Sequence, residues 1–149
     1  MIQIKRFNLR VYAIIHNEKG EVLLSKERRG GSEFTKFPGG GVELGEGILD
    51  ALHRELLEEL DAEINSASLF FVNDFFQISS FRPEDQIVSF YYLVELKNMG
   101  NIQEKRRSPL GSQDPDDFEQ AQWVPKNYLI FNALTFPIDR LVGDKLMQE

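Results

Sequence analysis

The chain has 149 residues, 42% hydrophobic and 28% charged, an ordinary globular balance at the size of one domain that excludes a disordered or fibrous chain. Lys and Arg number 17 against 24 Asp and Glu, a formal net charge of -7 that argues against general nucleic-acid binding, because non-specific affinity comes from neutralising phosphates. Cysteine is absent and histidine is limited to His16 and His53, which excludes disulfides, a thiol nucleophile, a thiolate metal site and a multi-histidine zinc centre. No apolar run approaches about 18 residues, and the stretch MIQIKRFNLRVYAII lacks the apolar block and cleavage site of a secretory leader. No membrane contact and a cytoplasmic location are therefore expected.

In chain order, residues 8–15 (NLRVYAII) predict a strand, rich in β-branched and aromatic side chains. Residues 16–21 form a turn built on Asn17 and Gly20, and residues 22–25 resume as a strand, so the two are expected to pair as a hairpin. Residues 26–36 (KERRGGSEFTK) read as a polar basic loop. Residues 37–47 (FPGGGVELGEG) then hold five glycines. Over residues 48–60, Leu49, Leu52, Leu56 and Leu60 step by three or four, the spacing of one buried helix face. Residues 68–78 and 87–96 are apolar and aromatic enough for strands, residues 97–119 form a long polar connection, and residues 122–125 (QWVP) form a short strand. A closing helix is predicted over residues 133–147, starting from Pro137 if that proline takes the first turn. The pattern implies an α+β fold, a mixed sheet with helices on its faces.

The chemistry lies in residues 40–62, GGVELGEGILDALHRELLEELDA. Glu55, Glu58 and Glu59 stand at i, i+3 and i+4, so their carboxylates share one helix face, with Glu59 on the border of the leucine stripe. Ala51 and Ala62 project in the same sector and would not crowd a ligand. Three like charges at this spacing repel by tenths of a kcal/mol per pair, and a divalent cation converts that repulsion into coordination. Hard oxygen donors suit Mg²⁺ or Mn²⁺. The helix alone would equally serve as a solvated acidic face; the glycines before it, which bring backbone close to a ligand, shift the weight toward a site.

This segment resembles the Nudix box, G-x5-E-x7-R-E-U-x-E-E-x-G-U, where U is a bulky aliphatic residue. Gly40 is followed after five residues by Glu46, and after seven more by Arg54-Glu55-Leu56-Leu57-Glu58-Glu59. The lead-in Phe37-Pro38-Gly39 is also similar. Asp61 stands at the late glycine position and Ala62 at the closing aliphatic. The glycine would end the helix at positive φ, a conformation that Asp tolerates better than most residues. The resemblance implies an α/β/α sandwich around a mixed sheet, in one domain over residues 1–149. It implies hydrolysis of a nucleoside diphosphate linked to another moiety, with Mg²⁺, or Mn²⁺ in its place. Carried over by position, Glu55, Glu58 and Glu59 would be metal ligands, with the Gly39 carbonyl beside them, and Glu58 would help deprotonate the attacking water. Arg54 would hold a box carboxylate, with Glu46 as its partner; a plain salt bridge is the alternative.

Two further candidates lie outside the box. Asp117, ahead of Trp123, sits where related sequences often carry a further acid at the substrate. Arg28, leading out of the second strand beside Lys26 and Arg29, could take a substrate phosphate through two parallel bonds. A solvated loop is the alternative for both. Phe34, Phe37, Phe75 and Phe76 could stack a base, with core packing the alternative. The expected partner is a small nucleotide, and a homodimer stays open. Nucleoside triphosphates, nucleotide sugars and ADP-ribose are all compatible. The rival reading is a catalytically silent nucleotide-binding sensor, against which the complete Arg54-Glu55 and Glu58-Glu59 set argues.

Overall fold

A computed structural model describes residues 2–99, 102–129 and 133–148. The elements run β1 (Arg6–Ile14), β2 (Val22–Arg29), β3 (Ser32–Lys36), β4 (Gly39–Gly41), α1 (Ile48–Leu60), β5 (Ile64–Val72), β6 (Asp85–Leu96), β7 (Phe118–Val124), a 3-10 turn (Lys126–Leu129) and α2 (Pro137–Met147). One sheet is mixed, in the order β4-β1-β6-β5 with β1 parallel to β6; the other is antiparallel, in the order β3-β2-β7.

Strand β1 explains the layering. Its apolar run VYAI is buried on both faces, as central strands between helices are. Val11 and Ala13, followed by Ile15, join one core with Ala51, Leu52, Leu56 and Leu60 of α1. Tyr12 and Ile14 join a second core with Ile138, Val142 and Leu146 of α2. The side chains of a strand alternate, so the two helices cover opposite faces. Each fully buried leucine here contributes about 1.5–3 kcal/mol relative to exposure.

Several expectations are corrected. The hairpin joining the first two strands is only a turn. Asn17 organises it through its side-chain oxygen, and a single bridge, His16 to Val22, follows. Past that bridge β1 is flanked by β4 and β6, while β2 lies between β3 and β7. Residues 26–36 are not a loop but a hairpin, turned by Gly30 (φ 57) and Gly31 (φ 90). Their polar composition misleads because Glu27 and Lys36 are buried against each other. Strand β5 starts and ends earlier than residues 68–78, and Phe75 and Phe76 beyond it are exposed. Strand β7 starts earlier than residue 122, at Phe118. On α1, Leu49 is turned outward while Ala51, one turn before Glu55, packs into the core, as does Ala62 beyond the helix end. The closing helix begins at Pro137. Among the described residues, no helix is long and apolar enough to cross a membrane.

Candidate active site

Helix α1 is set against β4 by two glycines. Gly39 has φ 140, and a Cβ there would lie 2.1 Å from the Val11 carbonyl oxygen on β1. A Cβ on Gly40 would lie 2.6 Å from Glu55 Oε1. Only bare backbone lets this strand pair with β1 and still admit the glutamate. At the helix start, Asp50 accepts the Gly47 N–H at 2.8 Å. The helix ends on Asp61 at φ 51 and ψ 40, whose N–H reaches the Leu57 carbonyl at 3.1 Å. Among the described residues, Asp61 alone has positive φ without being glycine. The last turn holds no basic residue of its own. Instead Arg107, from the long connection, donates to the carbonyls of Glu58 (2.7 Å) and Glu59 (2.6 Å) and supplies the cation that a helix C-terminus favours.

The outer half of the glutamate face is built on Arg54. Its Nε and Nη2 grip Glu46 at 2.6 and 2.9 Å, a bidentate pair. Nη2 also donates to the Gly41 carbonyl at 3.0 Å, and Nη1 to Glu55 (3.1 Å) and Glu58 (3.4 Å). One guanidinium thus ties the loop after β4 to two carboxylates of the helix. Arg54, with help from the Glu43 backbone N–H, holds the Glu46 carboxyl down to about 2.

The inner half is built on Lys36. Glu59 turns away from Arg54, toward the Gly39 N–H (3.4 Å) and the Lys36 ammonium (3.8 Å). Lys36 Nζ also donates to the Gly39 carbonyl at 2.8 Å and contacts Glu27 at 3.2 Å. Glu27 and Glu119 face each other across the β2–β7 ladder, and one oxygen of each lies within 4.8 Å of the others in the trio Glu27, Glu59 and Glu119. Arg29 bridges Glu27 and Glu119, and Arg107 reaches Glu119. Burial pushes the Glu59 carboxyl well up; Lys36 opposes this, while Glu27, Glu55 and Glu119 add to it. Against burial, Lys36, Ser25 and Arg29 hold Glu27 below the usual range. Burial disfavours the Lys36 charge, yet Glu59 and Glu27 together raise its pKa.

Sequence reasoning placed the three box glutamates on one face, and the structure divides them. Glu55 and Glu58 meet on Arg54, while Glu59 converges with Glu27 and Glu119. It missed Lys36, Glu27, Glu119 and Arg107. Arg28 and Asp117 meet each other: Arg28 Nη1 contacts Asp117 at 3.1 Å and Asp114 at 3.2 Å. Asp117 also accepts from the Gly30 N–H and from Ser112. The pair pins residues 112–117 to the β2–β3 turn.

Beside Lys36 opens a cavity of about 530 Å³, lined among others by Arg10, Arg29, Phe34, Phe81, Phe136 and Asp139. The three phenylalanine rings lie 5.3–5.6 Å apart, Phe37 is wholly in the core, and Arg29 rather than Arg28 reaches the cavity wall. Asp139 accepts from the Tyr91 hydroxyl through Oδ1, its Oδ2 meets no donor, and burial pushes its carboxyl up to about 6. An aromatic wall flanked by guanidinium groups can take a base and its phosphates. The donor set offers only oxygen, from carboxylates and one carbonyl around a strand without Cβ atoms, and so fits a hard divalent cation.

The NUDIX domain model matches residues 6–142. The RNA pyrophosphohydrolase of Acinetobacter baylyi is 29% identical, the match covering 100% of this chain and 90% of that protein. That of a Psychrobacter species is 43% identical over 60 residues, 40% of this chain and 34% of its own. A structure from work on MutT of Aliivibrio salmonicida and Vibrio cholerae superposes with a TM-score of 0.65 at 26% identity, over 97% of this chain and 100% of that one. MutT of Bacillus halodurans gives 0.68 at 17% identity, over 95% and 83%, a likeness of fold alone.

Proposed function

The chain belongs to the NUDIX family and is a hydrolase of pyrophosphate bonds, and from that premise we propose that it is a Mg²⁺-dependent pyrophosphohydrolase of a small nucleoside diphosphate derivative. The observation that carries this reading is the Arg54 clamp, which gathers Glu46, Glu55, Glu58 and the Gly41 carbonyl at the foot of the glycine strand. Glu55, Glu58, Glu59 and the Gly39 carbonyl would hold the cation, Mn²⁺ serving in place of Mg²⁺. When bound, such a cation supplies charge neutralisation at the phosphate and a lowered pKa for water.

The remaining work falls to the protein. Glu58, the most exposed of the three at 35%, takes the proton from the attacking water. Arg54 fixes Glu58 and Glu55, and Glu46 fixes Arg54. The base lies against Phe34, Phe81 and Phe136, and Arg10 and Arg29 face the phosphates. Arg28 and Asp117 shape the substrate end by holding residues 112–117 in place, with Arg28 free to reach a phosphate only by leaving Asp114 and Asp117.

The test is a panel of nucleoside triphosphates, nucleotide sugars and ADP-ribose with Mg²⁺, with the cleaved bond identified from the products. Turnover of none of them would favour the silent sensor. A second reading, action on a phosphoanhydride carried by RNA, is favoured by the match to the Acinetobacter baylyi enzyme along the whole chain. An RNA oligomer bearing that end belongs in the panel, and a kcat/KM above every mononucleotide would select it.

A further inference from the structure

Lysine is almost never fully buried unless it is paired. The Lys36 side chain is 8% exposed, and the Tyr12 ring lies 5.6 Å from its ammonium. A purely structural lysine would be explained by Glu27 alone. Instead its shortest contact, 2.8 Å, is to the carbonyl of Gly39; it also reaches the Phe37 carbonyl at 3.3 Å and Glu59 at 3.8 Å. A carbonyl and a carboxylate converging on one positive charge form the kind of oxygen cage that also suits a hard cation. Gly39 and Glu59 are two of the ligands assigned to the metal above, so the ammonium and a metal ion compete for the same oxygens.

We propose that Lys36 is a built-in cation: its ammonium holds the Gly39 carbonyl and Glu59 in the metal-free protein, and a metal ion gains those two ligands only by displacing it. The inference rests on the metal reading of the site and adds to it. Glu27, 3.2 Å from the ammonium, offers a place to retreat, so a rotation of the flexible lysine stem exchanges one cation for the other without leaving a charge unpaired. The device gives two consequences. Glu59, Glu27 and Glu119 are partly neutralised before any metal arrives, which keeps two buried carboxylates and a half-buried one compatible with folding. Metal binding at the inner half is weakened by whatever it takes to move Lys36, so the first grip of an incoming ion falls to Glu55 and Glu58.

The test is Mn²⁺ titration of the full chain without nucleotide, following free Mn²⁺ by electron paramagnetic resonance. Lys36→Gln keeps a donor but no charge and binds Mn²⁺ at least tenfold more tightly than wild type. Lys36→Arg, which keeps the charge, binds like wild type. Adding Glu59→Gln to Lys36→Gln removes the gain. If Lys36→Gln alone does not fold, the double variant Lys36→Gln with Glu27→Gln removes the buried pair together and shows the same gain. A folded Lys36→Gln, or a folded Lys36→Gln with Glu27→Gln where the single variant does not fold, that binds Mn²⁺ no more tightly than wild type while wild type binds it overturns the proposal and leaves the metal reading standing. Absence of binding in every variant overturns both.

Discussion

Glu46 and Glu59 are both paired with a cation, and their carboxyl groups shift in opposite directions. Both are half-buried. Glu46 is gripped by two nitrogens of Arg54 and is held down to about 2. Glu59 is packed more closely, faces an ammonium shared with Glu27 and two carbonyls, and has Glu27 and Glu119 nearby; desolvation first, and those carboxylates after it, push its carboxyl up. The sign is therefore set by how closely the carboxyl is packed and how many groups share its cation, not by the presence of a pair. The inner half sets Lys36, Arg29 and Arg107 against Glu27, Glu59 and Glu119 and is close to balanced. The outer half sets one guanidinium, all of its N–H groups engaged, against Glu46, Glu55 and Glu58, which is where an added positive charge has most to gain.

The strongest attempt to break this division is to remove the metal. Excess chelator abolishes turnover on the best panel substrate and Mg²⁺ or Mn²⁺ restores it; activity that persists in chelator would end the proposed chemistry. Glu58→Gln lowers kcat by about 10²-fold or more, as loss of a base or metal ligand does. Its melting temperature holds or rises because repulsion along the helix falls. An unchanged kcat would place the base elsewhere.

Next comes the clamp. Arg54→Ala lowers kcat about tenfold or more, in line with the 1.5–3 kcal/mol of a hydrogen bond to a charged group, and Arg54→Lys does not rescue it because lysine cannot grip Glu46 with two nitrogens. Full rescue by lysine would reduce the clamp to a point charge. The same pair predicts an acid limb. A carboxyl depressed by folding lends stability that is complete above its unfolded value near 4.5 and is lost as pH falls toward about 2. Thermal melts across that window should fall less steeply for Glu46→Gln than for wild type; parallel curves would show the clamp to be thermodynamically silent.

A smaller effect separates neighbouring arginines. Both arginines are paired with carboxylates, Arg29 with Glu27 and Glu119 and Arg28 with Asp114 and Asp117, but of the two only Arg29 lines the cavity, so Arg29→Ala raises KM more than Arg28→Ala, whose effect stays under about tenfold, within one charge-assisted bond. The opposite order in steady-state kinetics would return the phosphate contact to Arg28. Smallest is Asp61→Gly, which relieves a left-handed residue and is neutral or stabilising by up to about 1 kcal/mol. A clear fall in melting temperature would reveal a contact made by the Asp61 carboxylate.

What the sequence disclosed was local. The spacing from Gly40 through Arg54 to Glu59 survives translation into structure because all of it sits on one turn and one helix, where i, i+3 and i+4 fix direction. The positive φ at Asp61 was legible for the same reason. Lys36, Glu27 and Glu119 were not, because they meet only through strand pairing and lie in segments whose charge reads as surface. Alternation along β2 and β3 would have put Glu27 and Lys36 inside, but two buried charges of opposite sign cancel the hydropathy signal that reveals alternation. Leu49 and Ala51 show a finer failure: the stripe counted leucines, while close approach of the helix to β1 favoured the smaller alanine.

Arg107 closes α1 from 48 and 49 positions downstream. The turn that carries Glu58 and Glu59 is therefore capped only when residues from the long connection dock on it. Openings of that connection are openings of the turn. Amide hydrogens at the end of α1 would then exchange at the pace of residues near 107 rather than at that of the leucine-buried middle of the same helix, and the lifetime of the two carboxylates in place is tied to a segment distant from them in sequence.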